Sequence, residues 1–403
     1  NEEGTVTYKV NVAKAGLYTV KFIYYALPKR NNPIAIGLKV DGKYLFDGMQ
    51  EFELPRLFVD NGGVRVDGLG NELSPEQKEE HMFQEGYMVD MTGLENDPYT
   101  LALSAGEHTF TVESVAEPVA FDAIVLGKPL VYDDYATVSQ GYDTSKYATM
   151  DETILIEGED ADYKSTNSLV SQYDQTDPSV SSKNGSNPYL TRINYIGGGN
   201  WSSPGQRLTW KFSVKEDGYY KIAFRYKQSL VLNGNTYRKL YIDGEVPFKE
   251  AAQVTFGYGL NWEFKEFAAD DGTPYLVYLE KGDHEISLEV SLGELTNTVR
   301  ELKEVVYDIG QMYRKIVMIT GENPDPNRDY SLFTQIPDLE ERLNNSHKVL
   351  SDLIVEADSL SEKGSSGSTS TLKNMVAVIE RMLNYKYQAQ TYKSSFFDNY
   401  SSL

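Results

Sequence analysis

The chain has 403 residues, enough for two or three domains each with its own core, and a formal net charge of -22. That charge argues against nucleic acid and anionic membrane surfaces as partners, because both are gripped by lysine and arginine neutralising phosphate. The absence of cysteine excludes a disulfide framework, a thiol nucleophile and a zinc–thiolate site, and no apolar run is long enough to span a bilayer.

Near the N-terminus, TVTYKVNVAKAGLYTVKFIYY alternates apolar and polar residues as half-buried strands do, and IGLKVDGKYLF adds a strand ending in an Asp41-Gly42 turn. The pattern returns between Gln206 and Phe248. Gly16, Tyr18, Tyr24, Asp41, Gly42 and Phe46 recur as Gly218, Tyr220, Tyr226, Asp243, Gly244 and Phe248, all at an offset of 202. A fixed offset of this kind marks duplication of a β-domain. Farther on, Gly106 and His108 correspond to Gly282 and His284 at an offset of 176, so the first copy carries 26 extra residues. The repeat-matched histidines read as structural groups at the starts of late strands. The extra residues fall in a glycine- and charge-rich excursion from Pro55 to Asp97, of a length that is usually either functional or disordered.

The first copy, residues 1–130, closes on a strand with Val119, Phe121, Ile124 and Leu126 inside and Asp122 beside them. Residues 131–150 lack a sustained period and read as a tyrosine-rich connector. The second copy, residues 151–292, opens with a strand running into the acidic turn Glu157 to Asp162, followed by a polar stretch that includes Tyr195. Beyond Gly293 the apolar period becomes 3.6, with Leu295 to Ile316, Leu339 to Ala357 and Leu372 to Leu383 as three amphipathic helices. A flexible linker, GSSGSTS, separates the last two, and the tail to Leu403 is polar and aromatic. The expected fold is mainly β with an α-helical C-terminal part: two β-sandwiches and a three-helix bundle over residues 293–403.

Recognition chemistry concentrates in two loops, Gly197-Gly198-Gly199-Asn200-Trp201 and Phe256-Gly257-Tyr258-Gly259-Leu260-Asn261-Trp262. An aromatic flanked by glycine and asparagine suits a sugar, whose ring has an apolar face and a hydroxyl edge. Trp201, Tyr258, Asn261, Trp262 and Tyr195 are therefore the expected saccharide contacts, and the alternative is that the indoles cap the sandwich core. Glu157, Glu159 and Asp122 are candidate calcium ligands, calcium being bound by carboxylates and carbonyls, although an acidic turn in so acidic a chain is commonly just solvated. Asp325 to Asp329 resembles the start of a helix-loop-helix calcium site, but Tyr330 and Ile336 stand where glycine and glutamate are needed. No hydrolase, zinc-protease, Walker or dinucleotide fingerprint is present.

The runs EEGTVTYKVNVAKAGLYTVKFIYY, LKVDGKYLF, DPYTLALSAGEHTFTVESVAEPVAFDAIVLG, RKLYIDGEVPFKEA, NPDPNRDY and IPDLEERL resemble the N-terminal portion of large extracellular solute-binding lipoproteins of Gram-positive ABC sugar transporters. The resemblance implies tandem galactose-binding-like jelly-roll sandwiches, a helical segment and no catalysis. It also implies an oligo- or polysaccharide ligand, an ABC permease reached through parts outside this chain, and attachment to the cell surface by an anchor outside it. The sandwiches are similar, too, to carbohydrate-binding modules that place calcium beside an E-x-E turn and a late aspartate. Glu157 and Glu159 match the first element in the second copy and Asp122 the second in the first copy, so each copy carries half of the pattern. Two other functions stay open: an accessory region of a secreted polysaccharide-degrading enzyme, and a structural spacer.

Overall fold

The computed structural model describes residues 4–95, 97–180, 182–185, 187–359 and 369–402; of the GSSGSTS linker, residues 364–368 lie outside them. The chain divides into two compact units. One runs to Lys227 and adds Tyr237–Phe256 and Leu260–Gly293; the other comprises Gln228–Thr236, Gly257–Gly259 and the chain from Glu294 onward.

In the β-unit the first sandwich packs two antiparallel sheets. The order β1 (Thr5–Val12), β11 (Gly106–Ala116), β3 (Ile34–Val40), β4 (Phe52–Leu54) forms one of them. In the other, β2 (Gly16–Ala26) lies between β12 (Val119–Gly127) and the pair β9 (Phe83–Tyr87) and β10 (Thr100–Leu103). Alternation places Val20, Phe22 and Tyr24 of β2 against Ile36, Leu38, Phe52 and Phe110, all buried. The second sandwich repeats this plan with β16 (Arg207–Val214), β23 (Gly282–Ser291), β19 (Thr236–Ile242) and β20 (Val254–Phe256). Facing them are the ladders β17 (Gly218–Lys221) with β22 (Leu276–Leu279) and β18 (Ala223–Tyr226) with β21 (Glu263–Glu266).

The excursion is ordered, and it reaches into the other copy. Its β5 (Phe58–Asp60) pairs with β13 (Tyr163–Lys164) and with β8 (Gln77–Glu79), extending the second copy's sheet to seven strands. A hairpin of β6 (Arg65–Val66) and β7 (Glu72–Leu73) forms its tip, where the buried Glu72 carboxylate accepts from Asn184 (2.8 Å), Arg192 (3.2 Å) and the backbone of Ile193 (2.8 Å). Strands of two and three residues show no readable period, which is why the sequence reads only a loop here.

The 131–150 connector covers the second sandwich. Its α1 (Tyr135–Ser139) sets the Tyr135 ring 5.0 Å from Phe248 and 4.8 Å from Tyr275, and Met150 N donates to Tyr219 O (2.9 Å). In the helical unit, α2 (Thr296–Thr320), α4 (Leu339–Ser359) and α5 (Ser370–Asn384) match the three expected helices, and a short α3 (Leu332–Gln335) precedes α4. The tail, read from the sequence only as polar and aromatic, forms a further helix, α6 (Lys393–Tyr400), with Phe396 fully buried, so among the described residues the bundle has four main helices where three were expected. Eight residues of weak amphipathicity gain helical stability chiefly from packing, which sequence periodicity does not register.

Candidate saccharide-binding site

The polar stretch after β13 is held by side chains that imitate backbone turns. Asp174 Oδ1 accepts from Thr176 N (2.8 Å) and Thr176 Oγ1 (2.6 Å), and Asp177 Oδ1 accepts from Ser179 N (2.8 Å), two successive Asx turns. Asn194 closes the loop by accepting from Asp174 N (2.8 Å) and donating to Asp174 O (2.9 Å). Within it, β14 (Ser171–Gln172) pairs with β15 (Tyr195–Ile196), placing Gln172 opposite Tyr195.

Trp262 and Tyr195 meet on this frame. Their ring centroids are 5.8 Å apart in an edge-on arrangement. Trp262 Nε1 donates to Asp174 Oδ2 (2.9 Å), and the Tyr195 hydroxyl donates to Gln172 Oε1 (2.9 Å). Lys227 Nζ also reaches Asp174 Oδ2 (2.9 Å). Burial pushes the Asp174 carboxyl up, but the bonds from Thr176, Lys227 and Trp262 outweigh it and hold the group well below the usual carboxylate range. Asp174 is thus a fixed anion engaged by four donor atoms, placed to orient an indole rather than to exchange protons. Both rings are half-buried, while Asn261 and Leu260 beside Trp262 are exposed. An aromatic edge held rigid next to a free amide suits a sugar's apolar face and hydroxyls.

Trp201 occupies a different environment. It packs against the second core, its Nε1 donates to Gln206 O (3.1 Å), and the Arg238 guanidinium lies 4.3 Å from its ring centroid. Gly197 has a φ of +109, and a Cβ there would fall 2.9 Å from the indole. Arg238 donates to the carbonyls of Tyr237 (2.8 Å) and Trp201 (2.9 Å), and burial pushes its pKa down to about 10. Trp201 thus packs on the second core with a cation over its ring and its N–H engaged. Tyr258, the remaining expected contact, is half-buried and belongs to the helical unit.

The expected calcium ligands do not come together. Among the described residues no group of three or more His, Asp or Glu side chains is placed to hold a metal ion. Asp122 is exposed on β12 of the first sandwich, whereas Glu159 is buried in the turn of the second. Burial, together with the charges of Glu157 and Asp160, pushes the Glu159 carboxyl up to about 7, although backbone N–H groups favour its charged form. That turn is fixed instead by Trp210 Nε1 donating to Gly158 O (3.0 Å) and Ser171 Oγ donating to Glu159 O (2.8 Å).

Sequence reasoning missed Asp174, Lys227 and Gln172. The repeated Asp-x-Thr/Ser spacing at Asp174 and Asp177 signals turns, but Trp262, the partner of Asp174, lies 88 residues away.

No curated protein matches the chain. Among solved structures it is similar to a cycloisomaltooligosaccharide glucanotransferase from Paenibacillus sp. complexed with cycloisomaltoheptaose (20% identity over 40% of this chain, TM-score 0.25). It is also similar to a cycloalternan-forming enzyme from Listeria monocytogenes in complex with a pentasaccharide substrate (10% identity over 71%, TM-score 0.24). A third similarity is to a GH26-CBM35 β-(1,4)-mannanase from Podospora anserina (14% identity over 48%, TM-score 0.22). The chain spans 21%, 18% and 47% of these proteins respectively. Among the described residues no helix is long and apolar enough to cross a membrane. Residues 297–396, from α2 into α6, match the family model for the bacterial solute-binding protein, 4-helix bundle domain, and the helical unit is therefore similar to that domain.

Proposed function

We propose that the chain is a non-catalytic saccharide-binding region of a bacterial solute-binding protein that works outside the cell with an ABC sugar transporter. The match of residues 297–396 to a solute-binding-protein domain supports the transporter context. The observation that carries the binding role is the Trp262–Tyr195 ring pair, with its indole N–H tied to an ionised Asp174 and an exposed Asn261 alongside. The ligand is an oligo- or polysaccharide, stacked on the ring pair and bonded through hydroxyls to the Asn261 amide. A neutral or cationic glycan suits the charge of -22 better than an anionic one.

Calorimetric titration of the full chain with a panel of neutral oligosaccharides tests this. One saturable ligand is expected, with affinity falling at least about tenfold in Trp262→Ala, as for an aromatic anchor. Trp201→Phe should bind as the parent does. A flat response across the panel would leave a spacer, and release of reducing sugar would bring back the enzymatic reading.

A further inference from the structure

The two sandwiches differ at one sheet edge. In the second copy β16 is covered by β13, with Asp162 N donating to Thr209 O (2.9 Å) and Ser165 N to Arg207 O (3.0 Å). Lys211 N in turn donates to the Asp162 side chain (2.6 Å), and Arg207 N to Ser165 Oγ (2.8 Å). The equivalent strand of the first copy, β1, pairs with β11 on one side and with no strand on the other among the described residues. At the repeat offset Thr7 and Lys9 correspond to Thr209 and Lys211, the same residue types, and Thr5 to Arg207.

The register identifies the unpaired groups. Thr109, opposite Lys9, gives its carbonyl to Asp41 N on the far side of β11 (2.8 Å), while Gly4 O accepts from Ser114 N (2.9 Å). Even-numbered residues of β1 therefore bond β11, and Thr5, Thr7 and Lys9 turn their N–H and C=O groups outward. All three are exposed, and Val6 between them is 49% exposed. An eight-residue edge of this kind is a template for another strand.

We propose that the free edge of β1 docks an extended peptide segment with the chemistry of residues 153–165: an acidic turn leading into a short strand. It adds antiparallel to β1, donates to the carbonyls of Thr5 and Thr7, and places an acidic side chain on the Lys9 N–H, as Asp162 does on Lys211. The second copy shows the same ladder already filled, which is why this partner is favoured over an edge-to-edge contact between two copies of the chain. The proposal is independent of the sugar site, which lies in the other sandwich.

The test extends the full chain at its N-terminus with a second copy of residues 151–167 through a flexible linker of about ten residues, which supplies a local concentration of about millimolar. Residue-resolved hydrogen exchange at Thr5, Thr7 and Lys9 should slow at least about tenfold relative to the unextended chain. Thr7→Pro removes only an outward N–H, which an edge strand tolerates. In the extended chain it should return Thr5 and Lys9 to the unextended rate while the Val6 and Tyr8 amides stay protected. Unchanged exchange in the extended chain would overturn the proposal, as would equal protection by a scrambled segment. So would protection already present in the unextended chain and lost on dilution, which marks a second copy as the occupant.

Discussion

His108 and His284 are each held between a carboxylate and a backbone carbonyl. His108 Nδ1 lies 2.7 Å from Asp41 and Nε2 lies 3.0 Å from Ser104 O, while His284 has Asp243 and Glu280 O at 2.7 Å each. Two acceptors per ring favour the imidazolium, which offers an N–H to each. The Asp41 carboxylate and then the Ser104 carbonyl raise the His108 pKa. At His284 burial opposes protonation, but the Glu280 carbonyl and Asp243 outweigh it. Asp41 and Asp243 also sit at φ of +50 and +51, so each clamp pins a left-handed turn residue to the start of a late strand. A raised folded pKa means that the histidine contribution is complete below the unfolded value, about 6.5, and is lost as pH rises through the higher folded value. Asp41, held low chiefly by the Thr109 N–H and His108, acts oppositely: its contribution is present above about 3.9 and lost as pH falls through the folded value. Asp41→Asn, which tolerates the same turn, should move the NMR titration midpoint of His108 down toward about 6.5. The loss of thermal stability in this variant should be larger near about pH 5.5 than near about pH 9. An unmoved midpoint would rule out the clamp.

The passage from β23 into α2 depends on Gly293. Its φ is +54, and a Cβ there would lie 2.4 Å from Cγ of the buried Tyr237 ring. The obstruction is the stem of an aromatic side chain, which cannot swing aside as a flexible tip could. Gly293→Ala should therefore cost at least about 1–2 kcal/mol for the left-handed backbone alone, with ring displacement added. Urea denaturation followed by circular dichroism measures this, and a change below about 0.5 kcal/mol would show that the turn relaxes freely. At the repeat offset of 176 the first copy has Glu117, which is also left-handed, at φ of +60, where β11 turns into β12, so there the same backbone conformation is met by a residue with a Cβ. The second copy has no described counterpart of β12: one duplicated sandwich closes on a strand and the other hands over to helices.

In the β-unit the excursion makes the two sandwiches interdependent. Lys164 of the second copy is fully buried, and its Nζ donates to Asp60 of the first. Arg56, 2% exposed, is bonded to Glu79, Glu117 (3.5 Å) and Asn32 O (2.6 Å), which anchors the root of the excursion. Removing one member of a buried ion pair leaves an unpaired charge, so Asp60→Ala should destabilise the β-unit by about 3–5 kcal/mol. All three tryptophans lie in the second copy, at positions 201, 210 and 262, so their fluorescence reports on that copy although the substitution is in the first. The fluorescence transition should shift to lower denaturant together with the loss of exchange protection in β2. If protection in β2 fell while the fluorescence transition stayed in place, the sandwiches would be independent modules.

Alternation and a constant offset made the duplicated sandwich legible, and three helices followed from their 3.6 period, because burial of one face repeats in the chain itself. The matched His108 and His284 were likewise readable as structural groups. What only the tertiary structure decided were pairings between distant short segments: β5 with β13, α6 on the bundle, Asp174 under Trp262. It also decided what surrounds each tryptophan, since Trp201 and Trp262 sit in similar glycine- and asparagine-rich surroundings in the sequence. Arg238 covers one ring and Asp174 orients the other, and both contacts come from residues tens of positions away. Local periodicity is written in neighbouring residues, whereas the partner of a buried charge or an indole N–H is chosen only when the sheets close.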